Sequence, residues 1–541
     1  MPFPPLIARR SSVAETPIMT GNAPAPGLGL RGVVLKNIGA NFARVAAVSA
    51  VAIVLPSYLT HHLPVEIYAA WVLIIQLGAY VLYFDLGIQT GVSKFVAEHE
   101  AKGELLEAGR YASAGLGIML LTALVGVALT VSLVWQIPRL FSDMPATLFR
   151  EVRISLLLVG SSLSIGLVCS VYSAVFLGLQ RYWIPTLITI LNRLLFALVV
   201  FVAVTAGGNL STMALAAALV NIVTGVLQIV LWRRRASLVP VSFRLLDVEV
   251  LKNVARYCSL QSVSTVAMFC ITGLDIVIVG HFDYVQTAYY SVATLPTSFL
   301  LLIIASLLSP LMPASSALST RLSPPQMGTL LERITRYNTI ALLLTGLPLI
   351  VLGFPILRLW VGTDYATHTV AYLRILVVAN IVRNLCAPYA TMVTATATQK
   401  SVIAAAVSEA AVNLGTSLYL GWRLGATGVA FGTLIGAFVS VFMHFVVSMR
   451  LTWPVISISR VQLFSRGILV PCVLALPSLL LLPHWWSSRN LHFVSGLSMV
   501  WLFCTVAPAY YCLNREERHS FSRIILPWSS RCITSLISAC C

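Results

Sequence analysis

A chain of 541 residues that is 58% hydrophobic and only 10% charged is too apolar for an ordinary water-soluble domain. Its formal charge of +17 does not mark a nucleic-acid binder, because Lys and Arg lie between apolar stretches and build no basic domain. Apolar segments near the roughly 20 residues needed to cross a bilayer recur along the whole length, which points to an all-α polytopic membrane protein.

Residues 1–30 are rich in Pro, Ser, Gly and Ala and hold no apolar core of signal-peptide length, so a disordered cytoplasmic tail is expected. Fourteen spans follow, at about 37–59, 66–88, 111–135, 152–177, 184–206, 211–232, 254–280, 288–313, 338–360, 368–394, 401–420, 425–449, 464–483 and 491–513. The connections between them are short, and none would hold a folded domain. After span two, Val92, Phe95, Val96 and His99 take helical spacing on one face, with Lys94, Glu98 and Lys102 on another. Glu98 precedes Lys102 in the favourable i, i+4 order. This stretch reads as an amphipathic surface helix making an elbow into span three.

Orientation follows from the 35 basic residues. With the N-terminus cytoplasmic, Arg139, Arg150, Arg153, Arg358, Arg423 and Arg489 fall outside, and Arg44, Arg193, Arg374 and Arg383 fall within spans. All the others fall on the cytoplasmic side, as the positive-inside rule requires. Both termini are therefore expected in the cytoplasm. The longest and most basic connection, Arg233 to Arg256, divides the first twelve spans into two sixes. The expected organisation is an N-terminal lobe (31–232), a basic linker (233–253), a C-terminal lobe (254–450), two extra spans (451–513) and a cytoplasmic tail (514–541). The lobes echo each other weakly at an offset of about 218 residues, with Gln180-Arg181 and Gly207 matched by Gln399-Lys400 and Gly425. Parallel repeats of this kind are a known transporter design.

The ten cysteines show no CxxC and no ligand spacing with His, so neither a metal nor a cofactor is expected. Cys540 and Cys541 do not form a prenylation box.

Phe84-Asp-Leu-Gly87, followed by Gly91-Val-Ser-Lys-Phe-Val-Ala-Glu98 and Lys102-Gly-Glu104, resembles the segment after the second helix of bacterial polysaccharide flippases (O-antigen and exopolysaccharide). These belong to the multidrug/oligosaccharidyl-lipid/polysaccharide exporter superfamily. Leu177-Gly-Leu-Gln-Arg181, Leu274-Asp275 with Gly280, Tyr289-Tyr290, and Gly425-Ala-Thr-Gly-Val-Ala430 follow in the matching order. The resemblance covers roughly residues 31–450. It implies a two-lobed, V-shaped, MATE-like transporter in the bacterial inner membrane. Such a protein moves an undecaprenyl-diphosphate-linked oligosaccharide from the cytoplasmic to the periplasmic leaflet by alternating access, for lipopolysaccharide or exopolysaccharide synthesis. Some relatives are driven by an ion gradient, and none is an enzyme. Other proteins of polysaccharide synthesis are expected partners.

A charge at the bilayer centre costs at least ~2.5–3.5 kcal/mol on insertion scales, so each intramembrane charge needs a reason. Arg44, Arg193 and Arg383 have polar neighbours: Asn37 and Asn41 share a face with Arg44, Asn192 precedes Arg193, and Asn380 and Asn384 flank Arg383. Two readings stand. The guanidiniums line a hydrated cationic cavity for a diphosphate or acidic sugar, or each pairs with an intramembrane acid, for which Asp85, Asp275 and Glu409 are available. Arg44 near its helix end and Arg374 can also snorkel. Asp275 and Glu409 are the candidates for proton or cation coupling. Asp85, beside Gly87, suits a structural turn.

A drug antiporter of the same superfamily is the alternative function, and a membrane polysaccharide polymerase a third. A polymerase usually needs a sizeable external loop, whereas the longest here, about 136–151, carries only Asp143 and Glu151 as acids. No GxxxxGK[ST] loop is present, which argues against an ATP-driven pump.

Overall fold

The computed structural model describes residues 30–396 and 400–475. Side chains are described from Arg44 onward, so Asn37 and Asn41 can be placed on their helix but not in any contact. Both tails, the later part of span thirteen and all of span fourteen lie outside the described residues.

Among the described residues, twelve helical segments are long and apolar enough to cross a bilayer, and no strand occurs. They follow the first twelve expected spans. Span one is α1 (Leu30–His62). Span two is α2 (Val65–Ala79), a 3-10 turn (Tyr80–Asp85) and α3 (Ile88–Ala101). Next come α4 (Leu105–Leu140), α5 (Phe149–Gly178), α6 (Trp183–Thr205) and α7 (Leu210–Arg235). Span seven is α8 (Val248–Met268), a π-helical turn (Phe269–Gly273) and α9 (Asp275–Phe282). Span eight is α10 (Gln286–Leu308) with α11 (Leu311–Leu318), broken at Pro310. Span nine is α12 (Pro324–Val351) with α13 (Gly353–Val361), and span ten is α14 (Thr363–Asn384) with α15 (Ala387–Ala395). Spans eleven and twelve are α16 (Lys400–Leu424) and α17 (Ala426–Met443).

Two groups of helices pack mainly within themselves, α1 to α7 and α9 to α17. On the face opposite the 236–247 connection, α2 joins them by packing on α9 and α10, and α1 by packing on α13. Leu73 and Ile74 of α2 share one buried cluster there with Tyr284 and Tyr290, and the Tyr284 hydroxyl donates to the Glu66 carbonyl at 2.6 Å. On the linker face, α8 crosses to lie on α3 and α4. Span seven is thus shared between the halves.

Within span two, Leu86 and Gly87 both adopt left-handed backbone, with φ of 49° and 79°. A Cβ on Gly87 would sit 2.4 Å from Cγ of Gln261 in α8, so the position takes only glycine. The carbonyls freed by the break are used: Ser262 Oγ donates to Leu86 at 3.3 Å and Cys258 Sγ to Gly87 at 3.4 Å. Beyond the break, α3 is amphipathic as the sequence pattern suggested, and its apolar face is covered by neighbouring helices. It buries Ile88, Gly91, Val92 and Val96 against α4 and α5. Its outer face carries the expected Lys102–Glu98 pair at 2.9 Å, half exposed. The turn into α4 comes at Lys102–Glu104.

The closest helix pairing is α16 with α17. Gly428, Gly432 and Gly436 form a ridge at every fourth residue of α17. A Cβ on Gly428 would meet the Leu420 carbonyl oxygen at 2.0 Å, and one on Gly432 the Ser417 backbone nitrogen at 2.6 Å. Small residues here let two backbones touch, the usual device where burial of apolar surface gives helices in lipid no drive to associate.

Span nine starts well before the expected residue 338. Ser323, whose N–H donates to Gln326 Oε1 at 2.9 Å, opens it ahead of Pro324 and Pro325. Its polar turns are buried against the chain's later part, where Gln462 Nε2 donates to Glu332 Oε2 at 2.6 Å.

Candidate substrate site

Among the described residues, each half contains a polar intramembrane cluster around an arginine. In the first half, a cavity of about 400 Å³ opens between the break in span two and helices α5, α6 and α7. The break contributes Asp85 and Gln89, α5 contributes Ser170, α6 contributes Thr189, Asn192 and Arg193, and α7 contributes Asn221, Thr224 and Gln228. On α7 these three recur at i, i+3 and i+7, which puts them on one face. They are tied to α6 and α5. Asn192 Nδ2 donates to Asn221 Oδ1 at 3.2 Å and to Thr224 Oγ1 at 3.0 Å, and Asn221 Nδ2 donates to Ser162 Oγ at 3.1 Å.

Two groups in this cavity have no partner among the described residues. Arg193 lies near the middle of its span, about 15 Å from Trp183 at 1.5 Å per residue. Its side chain makes no hydrogen bond or ion pair there and is exposed to the cavity. Gln228 Oε1 is buried without a hydrogen bond. Asp85 serves two purposes: Oδ1 accepts the Gln89 N–H at 3.2 Å, capping α3, while the carboxylate forms part of the cavity wall.

In the second half, Arg383 of α14 forms an ion pair through Nε with Glu409 Oε1 of α16, and both side chains are nearly inaccessible. Nη1 reaches Asn380 Oδ1 at 3.4 Å. Asn384 Nδ2 bonds the Asn380 carbonyl, and Asn338 Nδ2 bonds the Asn384 carbonyl, each at 2.8 Å. Asp275 begins α9 after the π-helical turn, with only Leu274 between them. Its Oδ2 accepts the Thr433 hydroxyl at 3.1 Å, whereas Oδ1 is buried with no hydrogen-bond partner among the described residues. The Tyr290 hydroxyl and Arg383 Nη2 are in the same position.

The π-helical turn frees carbonyls of its own. Gln76 Nε2 and the Tyr80 hydroxyl, both from the first half, donate to the Gly273 carbonyl at 2.8 and 3.0 Å. Asn413 Nδ2 of α16 donates to the Ile271 carbonyl at 2.8 Å. Bulges of this type recur at functional sites, and this one lies one residue before Asp275.

The structure therefore distributes the sequence candidates. Arg193 and Asn192 share the first-half cavity with Asp85, while Arg383, Asn380, Glu409 and Asp275 belong to second-half contacts. Arg44 is half-buried on α1, which packs chiefly on α6, and it is not among the residues lining the Arg193 cavity. Gly87 fixes the break that presents Asp85. Gln89, Asn221, Thr224 and Gln228 were not singled out from sequence, although the i, i+3, i+7 spacing on α7 was there to be read.

No family model matches the chain, and no curated protein sequence matches it. Solved structures do. A lipid II flippase MurJ in an inward closed conformation superposes with a TM-score of 0.68 at 14% identity, covering 91% of this chain and 100% of that one. An inward-facing multidrug resistance MATE family transporter of the MOP superfamily gives 0.57 at 17% identity, with 76% and 98% covered. A MATE in the straight conformation gives 0.52 at 17% identity, with 76% and 93% covered. At these identities the likeness is one of fold: the chain has the all-α polytopic architecture of these transporters.

Proposed function

We propose that this protein is a transporter that flips an undecaprenyl-diphosphate-linked oligosaccharide from the cytoplasmic to the periplasmic leaflet of a bacterial inner membrane by alternating access. The observation that carries this reading is Arg193, a mid-span guanidinium with no described partner, facing a cavity walled by amides, hydroxyls and a carboxylate. A charge there is costly, and the arrangement is chemically suited to a polar, partly anionic cargo. The fold supports the same reading, because the superposition spans the whole of a lipid II flippase. So does the span-two motif, whose glycine the structure explains. Both termini are taken as cytoplasmic, and a reporter fused after Arg235 should read cytoplasmic.

Asp275 is the coupling residue in this scheme. Its Oδ1 is a buried carboxylate oxygen without a hydrogen bond among the described residues, whereas Glu409 is committed to Arg383. Asp275→Asn should remove the dependence of transport on the proton or cation gradient.

The test of the main proposal is a deletion strain. It should accumulate lipid-linked oligosaccharide on the cytoplasmic face and lose surface polysaccharide. Arg193→Ala should reproduce both effects at normal protein abundance. Unchanged glycan in that strain would refute the reading.

A further inference from the structure

A lipid-linked oligosaccharide has two different polar parts, a diphosphate and a glycan. We propose that the first-half cavity holds a sugar ring of the glycan and not the diphosphate, an inference that rests on the flippase reading above.

Charge decides first. Among the described lining residues Arg193 is the only cation and Asp85 the only acid, so their formal charges cancel. A diphosphate placed here would have one guanidinium for more than one negative charge, and it would face a carboxylate in a poorly screened setting. Sites for such anions also use helix N-termini. The wall segments of α5, α6 and α7 lie well inside their helices, where backbone N–H groups are already spent. The one helix start at the wall, that of α3, is capped by Asp85.

Hydrogen-bond character decides second. Gln228 Oε1 is a buried acceptor with no donor among the described residues, and leaving it bare costs about 1–3 kcal/mol. Phosphate oxygens accept and cannot satisfy it. A sugar hydroxyl or acetamido N–H can. The same ring would offer further hydroxyls to the acceptor Asp85 and accept from the donor Arg193. The cavity, at about 400 Å³, lies within the roughly 300–1,000 Å³ usual for small-ligand sites.

The experiment uses the full chain in lipid nanodiscs and two probes: a short prenyl diphosphate carrying a disaccharide, and the same prenyl diphosphate without sugar. Binding is read by thermophoresis for wild type, Arg193→Gln and Gln228→Leu. Arg193 is exposed to the cavity, so its replacement does not depend on repacking a core. The expected result is about tenfold weaker binding of the glycosylated probe to each variant, with the sugar-free probe held within about twofold. Equal losses on both probes would place the diphosphate at Arg193 and overturn the inference, as would unchanged binding of both. If wild type binds neither probe, the flippase reading falls and this inference falls with it.

Discussion

The Arg383–Glu409 pair gives the sharpest energetic test. The two side chains are only 13% and 4% exposed, so neither can be hydrated if its partner is removed. Glu409→Leu alone strands a guanidinium and Arg383→Met alone a carboxylate. Breaking a buried pair from one side costs about 3–5 kcal/mol. Replacing both partners with apolar residues of similar size, Arg383→Met with Glu409→Leu, removes both desolvation penalties and should recover most of that loss. The coupling between the two sites should then be several kcal/mol, far outside the ~0.3–0.5 kcal/mol scatter of independent mutations. Fluorescence-monitored denaturation of the purified protein in detergent measures all four corners of the cycle. Two singles each within about 1 kcal/mol of wild type, or a double variant as unstable as their sum, would show that the ion pair is not what holds α14 to α16.

Gly87→Ala should destabilise the protein by about 2–5 kcal/mol, from ~1–2 for left-handed backbone and ~1–3 for the contact with Gln261. Adding Gln261→Gly should return only the contact part in a thermal melt. Gly432→Leu should leave little folded protein on size exclusion, because the Ser417 backbone occupies the space, while Gly166→Ala, with nothing within 4 Å, should behave as wild type. Asn413→Ala leaves the Ile271 carbonyl without its donor and should cost about 1–3 kcal/mol. Hydrogen exchange should rise in the segment from Met268 to Asp275, and an unchanged rate there would mean that Asn413 does not restrain the turn.

Hydropathy was sufficient to place twelve spans because a bilayer imposes one length and one composition on each. It failed where a helix continues through polar residues satisfied by tertiary contacts. Span nine was started too late because the charged run Glu332, Arg333 and Arg336 looks like a loop until Gln462 is seen beside Glu332. The amphipathic pattern of α3 was correct, but which neighbour would cover its apolar face was not legible. The intramembrane arginines stood out by cost alone and Glu409 was among the acids available, but only the fold pairs Glu409 with Arg383, 26 residues away, and sets Asp85 into the wall near Arg193. The π-helical turn before Asp275 had no signal at all, since no proline marks it and its stabilising donors come from span two and α16.

That turn also bears on how evenly two arrangements of the protein can be populated. Three side-chain donors, two from one half and one from the other, converge on carbonyls two residues apart. At ~1 kcal/mol net for each, an arrangement that parts all three starts about 3 kcal/mol behind, a population below roughly 1%. Swinging a two-state balance from 1:99 to 99:1 takes about 5.5 kcal/mol of differential affinity. A cargo or ion that favours the parted arrangement must therefore spend about half of such a difference on this one turn of helix before the two arrangements are equally populated.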